Sequence, residues 1–219
     1  MDILSRHEMF EIEVLDALKS GRFLDSLVFG GGTMLRLCHE LSRYSVDLDF
    51  WFWKTVKQQS FFERLRDFLG ERYEVTDAWM KRQTLLVEVR SADFPKRLKI
   101  EIRREKREFE TQSQIAFSRF STRQVMLRAH TLPQTMRNKV AALLDRGEVR
   151  DGFDLEFLLR RGIPLPALSP EEAKALRDRV SAFTARDFKV KLGSIVDPDT
   201  RLYYVENDFS YLAGKLHPL

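Results

Sequence analysis

Only one cysteine, Cys38, occurs in the 219 residues, so the chain has neither an intramolecular disulfide nor a cysteine-rich metal site. Its four histidines, His7, His39, His130 and His217, are scattered without ligand spacing, which excludes a conventional zinc site. No run of about 18 uncharged apolar residues is present. The N-terminus MDILSRHEMFEIE is acidic and helix-like, without the basic and apolar segments of a secretory leader. These absences predict a soluble protein retained in the cytoplasm, with no membrane partner. Internal repeats and low-complexity segments are also lacking, which excludes solenoids and disordered linkers.

What is present is core-forming material. Hydrophobic residues make up 43% of the chain and include 17 phenylalanines, enough for one large core or two small ones. The formal net charge is only +4, but it is unevenly placed. The stretch KRLKIEIRREKRE, residues 96–108, holds seven basic residues against three acidic ones. Such a run fits either a solvated strand end or a contact with a polyanion.

The periodicity predicts a mixed α/β first part and a helical second part, with residues 1–120 and 121–219 as the two domains. Helices are expected over 6–19, 33–41 and 60–69, from their apolar faces and from the stop at Gly21. Strands are expected over 24–29, 44–51, 84–90, 97–103 and 125–129. Further on, Pro133 opens a helix to Arg146, another covers 151–160, and Ser169-Pro170-Glu171-Glu172 starts a helix running to about Phe183.

Chemistry concentrates in FGGGTMLRLCHELSRYSVDLDF, residues 29–50. Glycines let a backbone approach a ligand closely, and the N–H groups opening the next helix attract anions. Gly31, Gly32 and Thr33 therefore read as a phosphate cradle, although the lysine of a Walker loop is missing. In the alternation that follows, Arg43, Ser45, Asp47 and Asp49 would share one strand face, and Trp51 would continue it. Two adjacent carboxylates repel, so they need a cation between them or a basic neighbour. Arg43 could neutralise them as an ion-pair ladder. A hard divalent cation, Mg²⁺ or Mn²⁺, would do so while bridging phosphate oxygens, and the glycines just upstream favour that reading. Glu101, at the centre of RLKIEIR, is the candidate third carboxylate, with Glu88 in TLLVEVR as its competitor. Cys38 reads as a structural thiol on the apolar helix face.

These residues resemble the first motif of the AbiEii/AbiGii toxin-like nucleotidyltransferases, in which Gly-Gly-Thr/Ser precedes Arg-x-Ser-x-Asp-x-Asp. A second stretch, RNKVAALLDRGEVRDGFDLEFLLRRG at residues 137–162, is similar to the family's lysine helix and the acidic motif after it. The resemblance covers about residues 20–162. It implies an α+β polymerase-β-like fold, a mixed sheet flanked by helices, with a helical C-terminal portion closing over the nucleotide.

It also implies metal-dependent transfer of a nucleoside monophosphate from an NTP, with an RNA acceptor such as tRNA and a cognate antitoxin as partner. By position, Gly31, Gly32, Thr33, Arg43 and Ser45 fall in the nucleotide-binding motif, and Asp47, Asp49 and Glu101 would bind the metal. Glu101 stands where the family commonly has Asp. Lys139 would contact the triphosphate, and Asp151 matches the later acidic residue, although these charges would equally tie two helices together. Two alternatives stay open, a protein hydroxyl as acceptor and a catalytically reduced binding module of the same fold.

Overall fold

The computed structural model describes residues 2–105 and 107–217. The chain divides into two compact units, one made of residues 1–40 and 44–130, the other of residues 41–43 and 131–219. The three-residue segment Leu41–Arg43 thus belongs with the C-terminal half.

The first unit is a seven-stranded mixed sheet with helices. In chain order it contains α1 (Ile3–Ser20), β1 (Leu27–Gly30), α2 (Gly31–His39), β2 (Asp47–Phe52), α3 (Gln58–Gly70), β3 (Glu74–Met80), β4 (Thr84–Arg90), β5 (Leu98–Arg103), β6 (Thr111–Phe117) and β7 (Gln124–His130). The strands lie in the order β3-β4-β5-β2-β1-β7-β6. The pairs β2/β5 and β1/β7 are parallel and the others antiparallel.

Alternation of side chains decides what each sheet face does. Leu48, Phe50 and Phe52 of β2, with Leu98, Ile100 and Ile102 of β5, are buried with the helices. The opposite face carries Asp47, Asp49 and Trp51 beside Lys99, Glu101 and Arg103, all at least partly exposed. The sheet therefore presents one polar face on which chemistry can occur.

Several expected boundaries shift. A short 3₁₀ turn, Phe23–Ser26, replaces the start of the first expected strand. Helix α2 begins at Gly31 itself, two residues before Thr33. Strand β2 begins at Asp47 rather than Tyr44, so Arg43 and Ser45 do not share its face. Arg43 instead turns to a buried carboxylate in the second unit, described below. Strands β3 and β6 were not expected; both are sheet edges, where only part of the surface is buried and alternation is weak.

The second unit contains α4 (Leu132–Arg146), α5 (Val149–Arg160), α6 (Pro170–Ser181), a π-helical turn (Asp187–Leu192), α7 (Pro198–Asn207) and α8 (Ser210–Leu216). Capping sets the helix starts. Thr131 accepts from the Gln134 amide, Ser169 and Glu172 form a reciprocal capping box, and Asp197 accepts from the Thr200 amide. Phe153, Phe188, Tyr204 and Phe209 form its aromatic core. A β-carbon at Gly152 would come within 2.7 Å of the Phe209 ring, so α5 needs glycine there. Among the described residues no helix is long and apolar enough to cross a membrane.

Candidate active site

The site is built where β1, α2, β2 and β5 meet. Gly30 ends β1 in register with Asp49 of β2, and Asp49 in turn stands in register with Glu101 of β5. Helix α2 starts at the next residue, so its first N–H groups open beside these carboxylates. Gly31 has φ +75°, and a β-carbon there would overlap the Asp49 carboxylate. Both conformation and space demand glycine. Gly30 is extended, and a side chain there would strike Trp51 and His130 at 2.6 and 2.7 Å. It is therefore a packing residue.

Thr33 is fully buried, and its hydroxyl donates to the Asp47 carbonyl oxygen at 2.6 Å. One residue earlier, His7 Nε2–H donates to the Val46 carbonyl at 3.1 Å. The backbone entering the Asp47 strand is thus held by two side chains from two helices. Close to this clamp sits Glu11, 1% exposed, its carboxyl pushed well above its ordinary value by burial and by the neighbouring Glu8 charge. Burial also lowers His7, which approaches Glu11 at 3.6 Å, so burial disfavours the charged form of both groups. Glu8 is engaged elsewhere, accepting from Arg36 Nε at 2.7 Å and from the Ser118 hydroxyl at 2.6 Å.

Asp47, Asp49 and Glu101 are half-exposed on the polar sheet face. Lys99 stands in register with Asp47 and supplies a positive neighbour. Glu88 is engaged by Thr76 and Arg97, whose hydrogen bonds hold its carboxyl below the usual range. Among the described residues no three His, Cys, Asp or Glu side chains converge as a metal cluster. The donors that suit a hard cation are the oxygens of Asp47 and Asp49, with Glu101 alongside on the next strand.

The remaining motif residues lie in the second unit. Asp154, fully buried, accepts from Arg43 Nε and Nη2, both at 2.7 Å, and from Lys139 Nζ at 2.6 Å. Asp151, also fully buried, accepts from Lys139 Nζ at 3.2 Å and from Arg146 Nε and Nη2 at 2.7 and 2.8 Å. Burial alone would raise both carboxyls. At Asp151 the Arg146 hydrogen bonds and the Lys139 charge reverse that, and at Asp154 Arg43 and Lys139 do, so both titrate below the usual range. Lys139 and Arg146 therefore converge on one acid, whereas Arg150 pairs with Glu148 rather than Asp154. Arg43, expected beside the nucleotide, forms a bidentate pair with Asp154 and is 2% exposed.

Ser45 lies outside β2 and is half-buried. Cys38 is partly buried, and burial pushes its thiol up to about 12, which suits an inert residue. The sequence reading gave Glu11 and His7 no place beside β2. Alternation already placed Lys99 beside Glu101, whereas nothing local marks His7 or Glu11 as neighbours of β2.

A helix N-terminus opening beside paired strand carboxylates sets anion-attracting N–H groups next to oxygen donors that suit a hard cation. The family model described as "Nucleotidyl transferase AbiEii toxin, Type IV TA system" matches residues 13–206. The chain belongs to the AbiEii family. By family it is a nucleotidyltransferase toxin of the type IV toxin-antitoxin class. No curated protein sequence matches it.

Solved structures share the AbiEii chain's fold. JHP933 from Helicobacter pylori is 22% identical with a TM-score of 0.58, the match covering 100% of this chain and 95% of that one. A putative nucleotidyltransferase from H. pylori is 22% identical with a TM-score of 0.57, covering 97% and 95%. MenT4, a nucleotidyltransferase toxin from Mycobacterium tuberculosis, is 16% identical with a TM-score of 0.65, covering 97% and 83%.

Proposed function

We propose that this AbiEii protein transfers a nucleoside monophosphate from an NTP to the hydroxyl of an RNA acceptor such as tRNA. The observation that carries the reading is the register Gly30–Asp49–Glu101, which sets the opening of α2 beside two strand carboxylates. The N–H groups at Gly31 and Gly32, at the start of α2, would hold the donor phosphates. Asp47 and Asp49 would hold Mg²⁺, which neutralises charge on the triphosphate and polarises the reacting phosphoryl group. Thr33 and His7 fix the strand that carries this pair. Glu101 takes the proton of the acceptor hydroxyl as its oxygen bonds to the α-phosphorus. The bond to the β-phosphate then breaks and pyrophosphate leaves.

In the second unit, the cluster of Lys139, Arg146 and Arg43 with two buried aspartates holds α4, α5 and the 41–43 segment together. Lys139 is 7% exposed, so its first role is to unite Asp151 and Asp154. The test is incubation of the protein with each labelled NTP, Mg²⁺ and total tRNA, with Asp49→Ala as control. Label on tRNA with the wild type alone is the expected result. Equal labelling by both proteins, or none from any NTP, would refute the reading.

A further inference from the structure

The polar sheet face continues past the carboxylates. Trp51 follows Asp49 on β2 and stands in register with Arg103, which follows Glu101 on β5. This row opens into a pocket of about 730 Å³ lined by Trp51, Gln58, Arg82, Arg103, Arg104 and Arg107, a volume within the usual range for ligand sites. Four arginines here face only Glu105 among the acidic lining residues, and Glu105 pairs with Arg107 at 2.8 Å. Arg104 is fixed by Gln58 at 2.9 Å and by the Lys81 carbonyl at 2.6 Å. Arg82 has no carboxylate partner among the described residues and is exposed.

The aromatic content is equally specific. All three tryptophans belong to this face. Trp51 lines the pocket, with His130 and Phe109 packed around it at 4.7 and 6.1 Å. Trp53 lies beyond it under Arg128 at 4.3 Å. Trp79, 59% exposed, stands in the row Trp79–Leu86–Glu101–Asp49. Trp51 is partly exposed and Trp53 and Trp79 are exposed. Guanidinium groups beside accessible indole faces are the chemistry that grips an unpaired nucleic-acid strand, phosphates on the arginines and bases on the rings.

Position separates this pocket from the donor site. Strand β1 runs antiparallel to β2, so the chain leaving Gly30 into α2 heads toward Asp47, where Thr33 binds. The pocket lies at the opposite end of the carboxylate row, about 7 Å along the strand. The proposed phosphate cradle and this arginine-lined pocket thus lie on either side of Asp49 and Glu101. We propose that the pocket seats the unpaired end of the acceptor RNA, with a base against Trp51 and backbone phosphates on Arg82, Arg103 and Arg107. This inference rests on the transferase reading above.

The test is fluorescence anisotropy of a 5′-labelled single-stranded RNA of about ten nucleotides, and of the same strand in a blunt duplex, against the full chain. NTP binding is measured separately by equilibrium dialysis. The expected result is at least tenfold preference for the single strand. Reversal of two exposed cations in R82E/R107E should weaken RNA binding tenfold or more and flatten the log–log salt slope by about 1.4. W51L should weaken it by about fivefold to a hundredfold, and R82E/R107E should bind NTP like the wild type. Unchanged RNA binding by R82E/R107E, equal binding of the blunt duplex, or parallel loss of NTP binding would each overturn the proposal. Asp49→Ala separates the two readings. If it transfers label as the wild type does, the transferase assignment fails, whereas the binding results bear on the pocket alone.

Discussion

The Thr33 hydroxyl donates to the Asp47 carbonyl oxygen at 2.6 Å, tying the first turn of α2 to the strand that bears the carboxylates. A hydroxyl has one proton, so a threonine that holds a strand carbonyl does not donate to a phosphate at the same time. Thr33→Val removes the bond while nearly keeping the shape. The expected outcome is a stability loss of about 1 kcal/mol, read by denaturant titration. Loosening the carboxylate strand should lower kcat roughly tenfold to a hundredfold with little change in the KM for NTP. Thr33→Ser should restore most of the activity. A raised KM with unchanged kcat would instead place the hydroxyl on the substrate.

Glu101 is half-exposed in register with Asp49, so its replacement disturbs no core packing. Glu101→Gln keeps the size and removes the carboxylate proposed as the base. Transfer to RNA should fall by about 10² to 10⁴, while stability stays within about 0.5 kcal/mol of the wild type. Single-turnover transfer and thermal melts measure the two sides. Glu101→Asp retains a carboxylate but withdraws it by a methylene, and its rate should lie between the other two.

The cluster around Asp151 and Asp154 should link the stability of the second unit to pH on the acid side. Both carboxyls titrate below their ordinary value of 3.8. A depressed folded value means stability that is present above the unfolded pKa and lost as pH falls through the folded one. Stability should therefore drop on acidification below about pH 4, where these carboxylates gain protons. Asp154→Ala leaves Arg43 and Lys139 facing each other without their shared acid. The expected loss is about 3 to 5 kcal/mol, measured by urea unfolding at neutral pH, and the acid-side decline should become shallower.

These residues also show what a sequence can and cannot disclose. The alternation Asp47, Asp49, Trp51 and the apolar faces of the helices are local periodicities, so strand, helix and the paired carboxylates were legible. Arg43 was not, because its partner Asp154 is 111 positions away and no periodicity marks a pairing of that range. The edge strands β3 and β6 were hidden for another reason: with only one neighbouring strand each, they carry little of the buried pattern that identifies a strand. Lys139 was legible as a motif residue, yet its motif does not say whether the ammonium meets a phosphate or a carboxylate. Glu11 and His7 read as ordinary members of an amphipathic helix, and only the fold sets them against the Asp47 strand.

Glu11 offers a test of that last relationship through pH. Its carboxyl is raised well above 4.5, first by burial and then by the negative charge of Glu8, with Asp47 adding to the effect and Arg36 opposing it. For a group that holds its proton more tightly when folded, the linked stability is complete below the unfolded pKa and is lost as pH rises through the folded one. Wild-type stability should thus decline on the alkaline side of pH 4.5, the reverse of the Asp154 dependence. Glu11→Gln keeps the shape and the neutral state at every pH, so its stability should be flatter across that window. The difference between the two proteins should grow with pH at up to about 1.4 kcal/mol per unit until the wild-type carboxyl ionises. Urea unfolding from pH 5 to 9 measures it, and parallel curves for the two proteins would show that Glu11 is already ionised. Because Glu11 lies close to Asp47, the activity of Glu11→Gln should also hold up better at high pH, where the wild type acquires a second buried charge beside the carboxylate strand.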